Sequence, residues 1–249
     1  MKPVLIICFS LVIVSTSAQD KNQFFALDAK MNQTILDSSK YILWIHEQDS
    51  NWQWDYYETW GPMVKSYSYA DHDGTMRNGD FYLYNTSGAL DSMGYFDHGK
   101  KKGSFYKLRT LSNDSIIFFK QYEYEQDSLL KTVDLSAEKA KNNKADSMKE
   151  QEAGYPGGGA NWQTFLSQNL KYPERAMTKG LQGQVRICFM VDEEGNVKNP
   201  FVQKSVEYSL DQESLKLIRD SGNWIPGTKD INQVKTYKVQ PVNFKLQTQ

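Results

Sequence analysis

Two of the three histidines stand next to aspartates, which is the nearest approach to a reactive or metal-binding set of side chains in this sequence. They occur in Asp71-His72-Asp73 and Asp97-His98. Imidazole and carboxylate groups ligate zinc when several converge on one point. Both pairs fall between glycine-marked strand patterns, so we interpret them as turn residues of a repeat and predict no metal site. The sequence also lacks the Gly-x-Ser-x-Gly and His-Glu-x-x-His motifs of hydrolases and metalloproteases.

Two further features could bind or react, and both have simpler interpretations. Gly157-Gly158-Gly159 is not followed by the Lys-Ser/Thr pair of a phosphate-binding loop, so it is interpreted as a flexible start of a helix. Cys188 lies in an apolar strand pattern, residues 185–191, which is typical of a packed small hydrophobe rather than a nucleophile. We therefore predict that the protein is not an enzyme and needs no cofactor.

The composition argues against nucleic acid as a partner. The 29 Lys and Arg residues nearly balance 30 Asp and Glu residues, giving a net charge of -1. Phosphate backbones are bound through clustered positive charge, and the sequence shows no basic patch. Aromatic residues make up 13% of the chain and crowd its N-terminal half, which favours β-structure there.

The first residues have the pattern of a secretory signal. Lys2 precedes an apolar run at residues 4–14, and small residues follow up to Ala18. The run is shorter than the roughly 20 apolar residues that a membrane-spanning helix needs. We predict cleavage after Ala18 and an exported protein, with an uncleaved membrane anchor as the alternative.

Residues 19–133 are predicted to form short strands joined by glycine turns. Two stretches are alike, residues 77–83 and 101–107, and their glycines, Gly79 and Gly103, are 24 residues apart. Repeats of this length indicate stacked units that are too small to fold alone. The Gly-x-Phe pattern resembles MORN-like repeats, and residues 54–57 resemble a degenerate leading unit. The simpler alternative is a β-meander that supports the C-terminal domain.

Residues 134–153 are predicted to be a polar linker because they lack aromatic residues, proline and glycine. Residues 154–249 are predicted to form an α+β domain in the order α-α-β-β-α-β with an antiparallel sheet. Periodicity predicts a first helix ending before Tyr172, a short helix at 174–179, a hairpin with strands at 184–191 and 197–204, and a last strand at 235–246. Ser209 is predicted to cap the third helix, with Gln212 reaching back in a capping box and Gly222 ending the helix.

Six motifs in the C-terminal part occur in the order found in one family. They are Tyr155-Pro156-Gly157-Gly158, Leu170-Lys171-Tyr172-Pro173-Glu174-Arg175-Ala176, Gly183-Gln184-Val185, Val191-Asp192-Glu193-Glu194-Gly195-Asn196-Val197, Trp224-Ile225-Pro226-Gly227 and Pro241-Val242-Asn243-Phe244-Lys245-Leu246. Together they resemble the TonB C-terminal domain, in the form paired with MORN-like repeats in Bacteroidetes-type envelopes.

This resemblance implies a binding mechanism. TonB C-terminal domains bind a short segment of an outer-membrane TonB-dependent transporter, the TonB box, by adding it as a strand to their sheet. The last strand suits this role because Pro241 has no backbone N–H and belongs on a sheet edge. The alternative is that this proline only protects the edge from aggregation. The predicted partner-binding residues are Tyr237, Lys238, Val239, Gln240, Pro241, Val242, Asn243 and Phe244.

A second contact is implied at Lys171, Tyr172 and Pro173. The best-known members of the family have glutamine where Lys171 stands, which puts a side-chain-specific transporter contact here in question. The alternative is that Tyr172 and Pro173 end the first helix and pack under the sheet.

The resemblance leaves the energy-transducing role open. A full transducer meets an ExbB/ExbD-type motor through an inner-membrane anchor and carries a long proline-rich spacer, whereas residues 134–153 contain no proline. The predicted function is a periplasmic TonB-like interaction protein that takes part in energised transport. The alternative is a non-transducing envelope adaptor whose repeats bind a protein, lipid or cell-wall surface and whose C-terminal domain forms a homodimer.

Overall fold

The computed structural model describes residues 22–48, 50–111, 116–135 and 150–246. The predicted signal peptide, residues 1–18, lies outside the described residues. Residues 136–149 of the predicted linker also lie outside them. Both therefore remain sequence predictions.

The N-terminal region is a single antiparallel sheet of ten strands. Its strands follow one another in chain order from β1 to β6 and continue with β8, β9 and β10, while β7 pairs with the end of β6. A short 3-10 helix, Leu36–Ser38, joins β1 to β2. The strands are β1 (Asn22–Leu27), β2 (Tyr41–Gln48), β3 (Asn51–Glu58), β4 (Met63–Tyr69), β5 (Arg77–Tyr84), β6 (Leu90–Asp97), β7 (Lys100–Lys101), β8 (Gly103–Thr110), β9 (Ile116–Glu125) and β10 (Ser128–Asp134).

The two similar stretches of sequence occupy related places in this sheet. Phe81 and Phe105 lie two strands apart on the same face, with ring centroids separated by 5.4 Å. Gly94 lies on the strand between them, where a Cβ atom would come within 2.6 Å of the Phe105 ring and 2.7 Å of the Phe81 ring. Glycine is therefore required for the two rings to meet across β6. The sheet is all-β as predicted, and the MORN-like assignment stays a prediction.

The C-terminal region contains the predicted helices and strands together with three short strands. A three-stranded antiparallel sheet has the order β13-β12-β16, and a second small sheet has the order β11-β14-β15. The elements are β11 (Glu150–Gln151), α1 (Gly158–Asn169), α2 (Glu174–Thr178), β12 (Gly183–Val191), β13 (Val197–Lys204), α3 (Tyr208–Asp220), β14 (Gly227–Lys229), β15 (Asn232–Val234) and β16 (Thr236–Phe244).

Alternation along β12 builds the core of this region. Val185, Ile187, Phe189 and Val191 are all fully buried, which confirms the alternation predicted for the strand. Helix α3 covers these residues with its own buried stripe. The predicted stripe residues Leu210, Ser214, Leu217 and Ile218 are all buried.

The start of α3 differs from the prediction. The N-cap residue is Glu207 rather than Ser209, and its carboxylate accepts the Ser209 backbone N–H at 2.8 Å and the Ser209 hydroxyl at 2.6 Å. The prediction of a capping box from Ser209 to Gln212 was therefore wrong. Glutamate is a less common cap than serine, and Glu207 takes this position because its carboxylate also binds Arg175.

The hairpin between β12 and β13 turns as predicted. Asp192 accepts the backbone N–H of Asn196 through its carboxylate at 2.7 Å, and the backbones of the two residues are also paired. Gly195 has a φ of 85°, and a Cβ atom there would lie 2.3 Å from the carbonyl oxygen of Trp224. The Trp224 N–H donates to the Gly195 carbonyl at 2.8 Å. Glycine thus lets the Trp224 backbone close against this turn.

The N-terminal sheet and the C-terminal region share one hydrophobic core. Five buried residues of the N-terminal sheet pack in the same cluster as Ile187, Phe189 and Leu210. Because this burial needs both regions at once, we expect them to stabilise each other. The contributing residues of the sheet are Tyr57, Met63, Tyr84, Leu90 and Leu108.

A polar cluster around Arg175 adds to this junction. The Arg175 guanidinium donates to the buried Glu207 carboxylate at 2.6 Å and to the carbonyl oxygen of Thr59 at 2.5 Å. It also lies 4.0 Å from the centroid of the Trp60 ring. A buried carboxylate is costly unless it is paired, so Arg175 holds Glu207 and the turn after β3 together.

A second buried carboxylate, Asp211 on α3, behaves differently. Burial raises its pKa to about 8, although the Ser205 hydroxyl and the Val206 N–H donate to it and oppose the shift. The Ser205 hydroxyl oxygen in turn accepts the backbone N–H of Met63 at 2.7 Å. The Asp211 carboxylate therefore orients the Ser205 hydroxyl group, whose hydrogen bond with Met63 joins the two regions.

The protonation of Asp211 predicts a pH dependence of stability. The folded protein keeps a proton that the unfolded chain releases near pH 4, so the free energy of unfolding should fall from about pH 4 to about pH 8 and level off above. Asp211→Asn cannot ionise and should lose less stability over this window. Urea denaturation of both proteins at about pH 5 and about pH 8 measures the difference. Equal losses in the two proteins would exclude Asp211 as the cause.

Candidate partner-binding edge

Strand β16 lies at the edge of the C-terminal sheet. It pairs with β12 in one unbroken antiparallel register, from Val191 opposite Thr236 to Gly183 opposite Phe244. No other strand among the described residues pairs with β16. The outer side of this strand therefore presents backbone groups that could pair with an added strand.

Pro241 determines which backbone groups face outwards. It stands opposite Arg186 within the unbroken register, and it has no N–H to give to β12. Residue pairs in an antiparallel ladder alternate between hydrogen-bonded and non-hydrogen-bonded, so we infer that the Arg186–Pro241 pair is non-hydrogen-bonded. Residues two or four positions from Pro241 on β16 are in non-hydrogen-bonded pairs as well. The backbone N–H groups of Tyr237, Val239 and Asn243 then point away from the sheet.

The side chains of β16 divide between core and solvent. Val242 and Phe244 are fully buried, so these predicted site residues could contact a partner only through their backbone. Tyr237 is 72% exposed and Val239 is 37% exposed. Lys238 donates to Glu152 at 3.1 Å near the start of the C-terminal region.

The opposite edge of the sheet, β13, is partly occupied by the N-terminal region. Ala89 forms a β-bridge with Lys204, and the carbonyl of Gly88 accepts the Ser205 N–H at 2.8 Å. The Tyr84 hydroxyl donates to the carbonyl of Val202 at 2.7 Å. These contacts use the outward-facing groups at the end of β13. Of the two edges, β16 is therefore the one available for strand addition.

The structure brings the second predicted segment to the end of β16. The Tyr172 ring packs edge-on against Phe244 with centroids 5.6 Å apart, and its hydroxyl donates to the carbonyl of Leu181 at 2.5 Å. Pro173 is the residue before α2, and the backbone N–H of Lys171 donates to Glu213 at 2.8 Å. Tyr172 and Pro173 therefore have structural roles, while Lys171 is exposed.

The N-terminal sheet packs against one face of the C-terminal sheet, where the Tyr82 ring stacks on Phe201 with centroids 4.9 Å apart. Partial burial raises the pKa of Tyr237, and Cys188, Asp80 and Tyr106 lie within electrostatic range of its hydroxyl. Tyr106 in turn packs against the exposed Phe118 ring at 5.0 Å.

The residues considered for chemistry have local partners. The His72 imidazole lies 3.0 Å from the Asp73 carboxylate, and that of His98 lies 2.6 Å from Asp97. Within the described part of the chain, no group of three or more His, Cys, Asp or Glu residues is arranged to hold a metal ion. Cys188 is buried and burial raises its pKa to about 12, so it is largely protonated at neutral pH.

The comparisons with known proteins concern this same part of the chain. Residues 168–246 match the family model described as Gram-negative bacterial TonB protein C-terminal. A solution structure of the Helicobacter pylori TonB C-terminal domain is also similar, with 19% sequence identity, coverage of 46% of this chain and 96% of that chain, and a TM-score of 0.29. Comparison with curated proteins gave no match.

The TonB-like segment, residues 168–246, runs from the end of α1 to the end of β16. It contains α2, α3 and all three strands of the sheet β13-β12-β16. The edge strand and the Lys171–Pro173 contact both lie inside it. No helix in the described ranges is long and apolar enough to cross a membrane.

Proposed function

We propose that this protein is an exported, periplasmic TonB-like interaction protein that binds outer-membrane TonB-dependent transporters. The transporter segment, the TonB box, adds as a strand along β16. One observation carries the proposal: β16, in the segment that matches the TonB family model, pairs only with β12 among the described strands, so its outer side has no partner strand there.

The energetics of strand addition fit this edge. An added strand gains main-chain hydrogen bonds with the outward groups of Tyr237, Val239 and Asn243, and it makes few demands on side chains. Each hydrogen bond contributes about 1 kcal/mol net. Protection of the edge by Pro241 alone is the competing interpretation, and it predicts that no transporter segment binds.

The N-terminal region is proposed to be a MORN-like repeat domain at residues 19–133, followed by a linker at 134–153 and the TonB-like domain at 154–249. Its shared core with the TonB-like segment supports a role in holding that segment in place. Coupling to an ExbB/ExbD-type motor is proposed only for a form that keeps its N-terminal segment as an inner-membrane anchor.

Titration of the exported protein with TonB-box peptides from transporters of the same cell tests the proposal. We expect at least one peptide to bind with a Kd below about 1 mM, which corresponds to about -4 kcal/mol. A scrambled peptide of the same composition is the control, and it should bind at least tenfold more weakly. Failure of every TonB-box peptide to bind at millimolar concentration would exclude transporter binding by this edge.

The second candidate function is a non-transducing envelope adaptor. The core shared between the sheet and the TonB-like segment favours it, because a rigid two-part body suits a protein that holds two partners. The mature N-terminus separates energy transduction from both roles of a released protein. A chain that begins at Gln19 argues against motor coupling, whereas a chain that keeps Lys2 in the membrane fraction favours the transducer.

A further inference from the structure

A cleft of about 680 Å³ lies between the N-terminal sheet and the TonB-like segment. Its floor is formed by strands β2 to β6, and its other wall is formed by β13 and α3. None of its lining residues belongs to β16, so it is separate from the proposed transporter edge. Its volume falls within the range of about 300–1,000 Å³ that is common for ligand sites.

The floor of the cleft carries buried polar side chains in two neighbouring rows across the sheet. One row places His46, Gln53 and Ser68 side by side, and the next places Asp55 beside Ser66. All five are at most 9% exposed. A sheet face that only packs against another domain is normally apolar, because buried polar groups are costly to desolvate.

In the next row along strands β2, β3 and β4, the side chains are largely apolar. There Ile42, Tyr57 and Met63 lie side by side, and Tyr57 and Met63 belong to the shared hydrophobic core. The polarity is therefore confined to the part of the sheet that faces the cleft. It does not arise from a generally polar junction between the two regions.

Hydrogen bonds between these side chains hold them in place. The His46 imidazole lies 3.0 Å from one oxygen of Asp55, and the Ser68 hydroxyl donates to the Gln53 amide oxygen at 2.6 Å. The Gln53 amide nitrogen donates to the Ser66 hydroxyl. The second carboxylate oxygen of Asp55 has no hydrogen-bond partner among the described residues. Side chains fixed in this way are preorganised for a polar ligand.

The charges along the cleft are mixed. Glu47, Asp55 and Asp80 contribute carboxylates, while Lys198 and Arg219 contribute cations from the opposite wall. An anionic ligand would meet the carboxylates and a cationic ligand would meet the two basic side chains. A purely apolar ligand would leave the polar rows without partners. The lining thus favours a neutral ligand that both donates and accepts hydrogen bonds.

The aromatic side chains in the lining differ in exposure. The Trp44 ring is buried and stacks on His46 at 3.5 Å and on Phe24 at 5.9 Å between centroids. Tyr95, by contrast, is 41% exposed at the side of the cleft. An exposed aromatic residue next to fixed amide, hydroxyl and carboxylate groups matches a molecule with an apolar ring face and a polar rim.

We propose that this cleft binds a neutral sugar, as a monosaccharide or a short oligosaccharide. Its hydroxyl groups bond to the polar rows of β2 to β4 and to Asp80, and one ring face lies on Tyr95. The junction between the sheet and the TonB-like segment then serves as a carbohydrate-binding site in addition to its structural role.

The test uses the exported protein and a panel of neutral sugars: N-acetylglucosamine, its β-1,4-linked dimer, maltose, cellobiose and galactose. Saturation-transfer NMR identifies binding, and isothermal titration gives the affinity. We expect at least one sugar to bind with a Kd below about 10 mM. Tyr95→Ala should weaken that binding at least about tenfold. Phe118→Ala, which removes an aromatic ring of similar exposure (44%) that does not line the cleft, should leave it unchanged.

Two outcomes would overturn the proposal. One is that no sugar in the panel binds below about 10 mM while the protein has its native circular dichroism spectrum. The other is that a sugar binds but Tyr95→Ala and Asp80→Asn both bind it as tightly as the original protein. Neither outcome bears on transporter binding, because the TonB-box titration uses a different ligand and a different strand.

Discussion

Val239→Pro is expected to weaken binding of a TonB-box peptide at least about tenfold while the protein stays folded. Val239 lies two residues from Pro241 in an unbroken register, so its N–H points away from β12. Proline removes that donor and leaves a partner carbonyl without a hydrogen bond. Titration with the same peptide measures the loss, and circular dichroism with thermal melting checks the fold.

Gln240 provides the matched control for this substitution. Its N–H points towards Ile187 on β12, so Gln240→Pro should remove a hydrogen bond inside the sheet and lower the stability by about 1–3 kcal/mol. Val239→Thr keeps the donor and should bind normally. If Val239→Pro binds as well as the original protein, strand addition at this edge is wrong. If it unfolds as readily as Gln240→Pro, the inferred direction of the N–H groups is wrong.

Leu90→Ala is expected to lower the free energy of unfolding by about 2–5 kcal/mol. Leu90 is 2% exposed and lies on β6, in the core cluster that the N-terminal sheet shares with the TonB-like segment. The substitution leaves a cavity at the junction of the two regions. Urea denaturation followed by both tryptophan fluorescence and circular dichroism measures the loss.

The shared core also predicts that the two regions unfold in a single urea-induced transition. Both signals should change together in the original protein and in Leu90→Ala, because neither region buries its core residues alone. Leu130→Ala is the control, since Leu130 is 66% exposed and should cost less than about 0.5 kcal/mol. Two well-separated transitions in the original protein would contradict the shared core. A loss below 1 kcal/mol in Leu90→Ala would contradict it as well.

Regular periodicity explains which elements of the TonB-like segment could be predicted. Strand β12 places a branched or aromatic apolar residue at every second position from Val185 to Val191, and α3 has a buried stripe at helical spacing. These patterns depend on neighbours within the element, so they can be read without knowing the fold. The predicted bounds of these elements agree with the observed ones to within about two residues.

Elements fixed by distant contacts were not predictable. Strands β11, β14 and β15 have two or three residues each, which is too short for any periodicity. Glu207 caps α3 because Arg175, 32 residues away, neutralises its carboxylate. Local sequence favoured Ser209 instead. In both cases tertiary contacts outweigh the local preference.

The candidate edge was predictable in part. Pro241 indicates an edge or a bulge from sequence alone, and the structure shows an edge with no bulge in the β12–β16 register. The sequence could not show that the other edge is partly occupied, because that depends on the contact of Gly88 with Ser205 across more than a hundred residues. The cleft could not be predicted from the sequence for a similar reason. His46, Asp55 and Ser66 form rows only once three strands are in register.

The most direct test of transporter binding by strand addition is amide hydrogen exchange of the protein with and without a saturating TonB-box peptide. Slower exchange reports new hydrogen bonds at individual residues. We predict slower exchange at Tyr237, Val239 and Asn243, with little change at the occupied end of β13. Saturating peptide that leaves these three amides unprotected, or that protects β13 instead, would contradict the account.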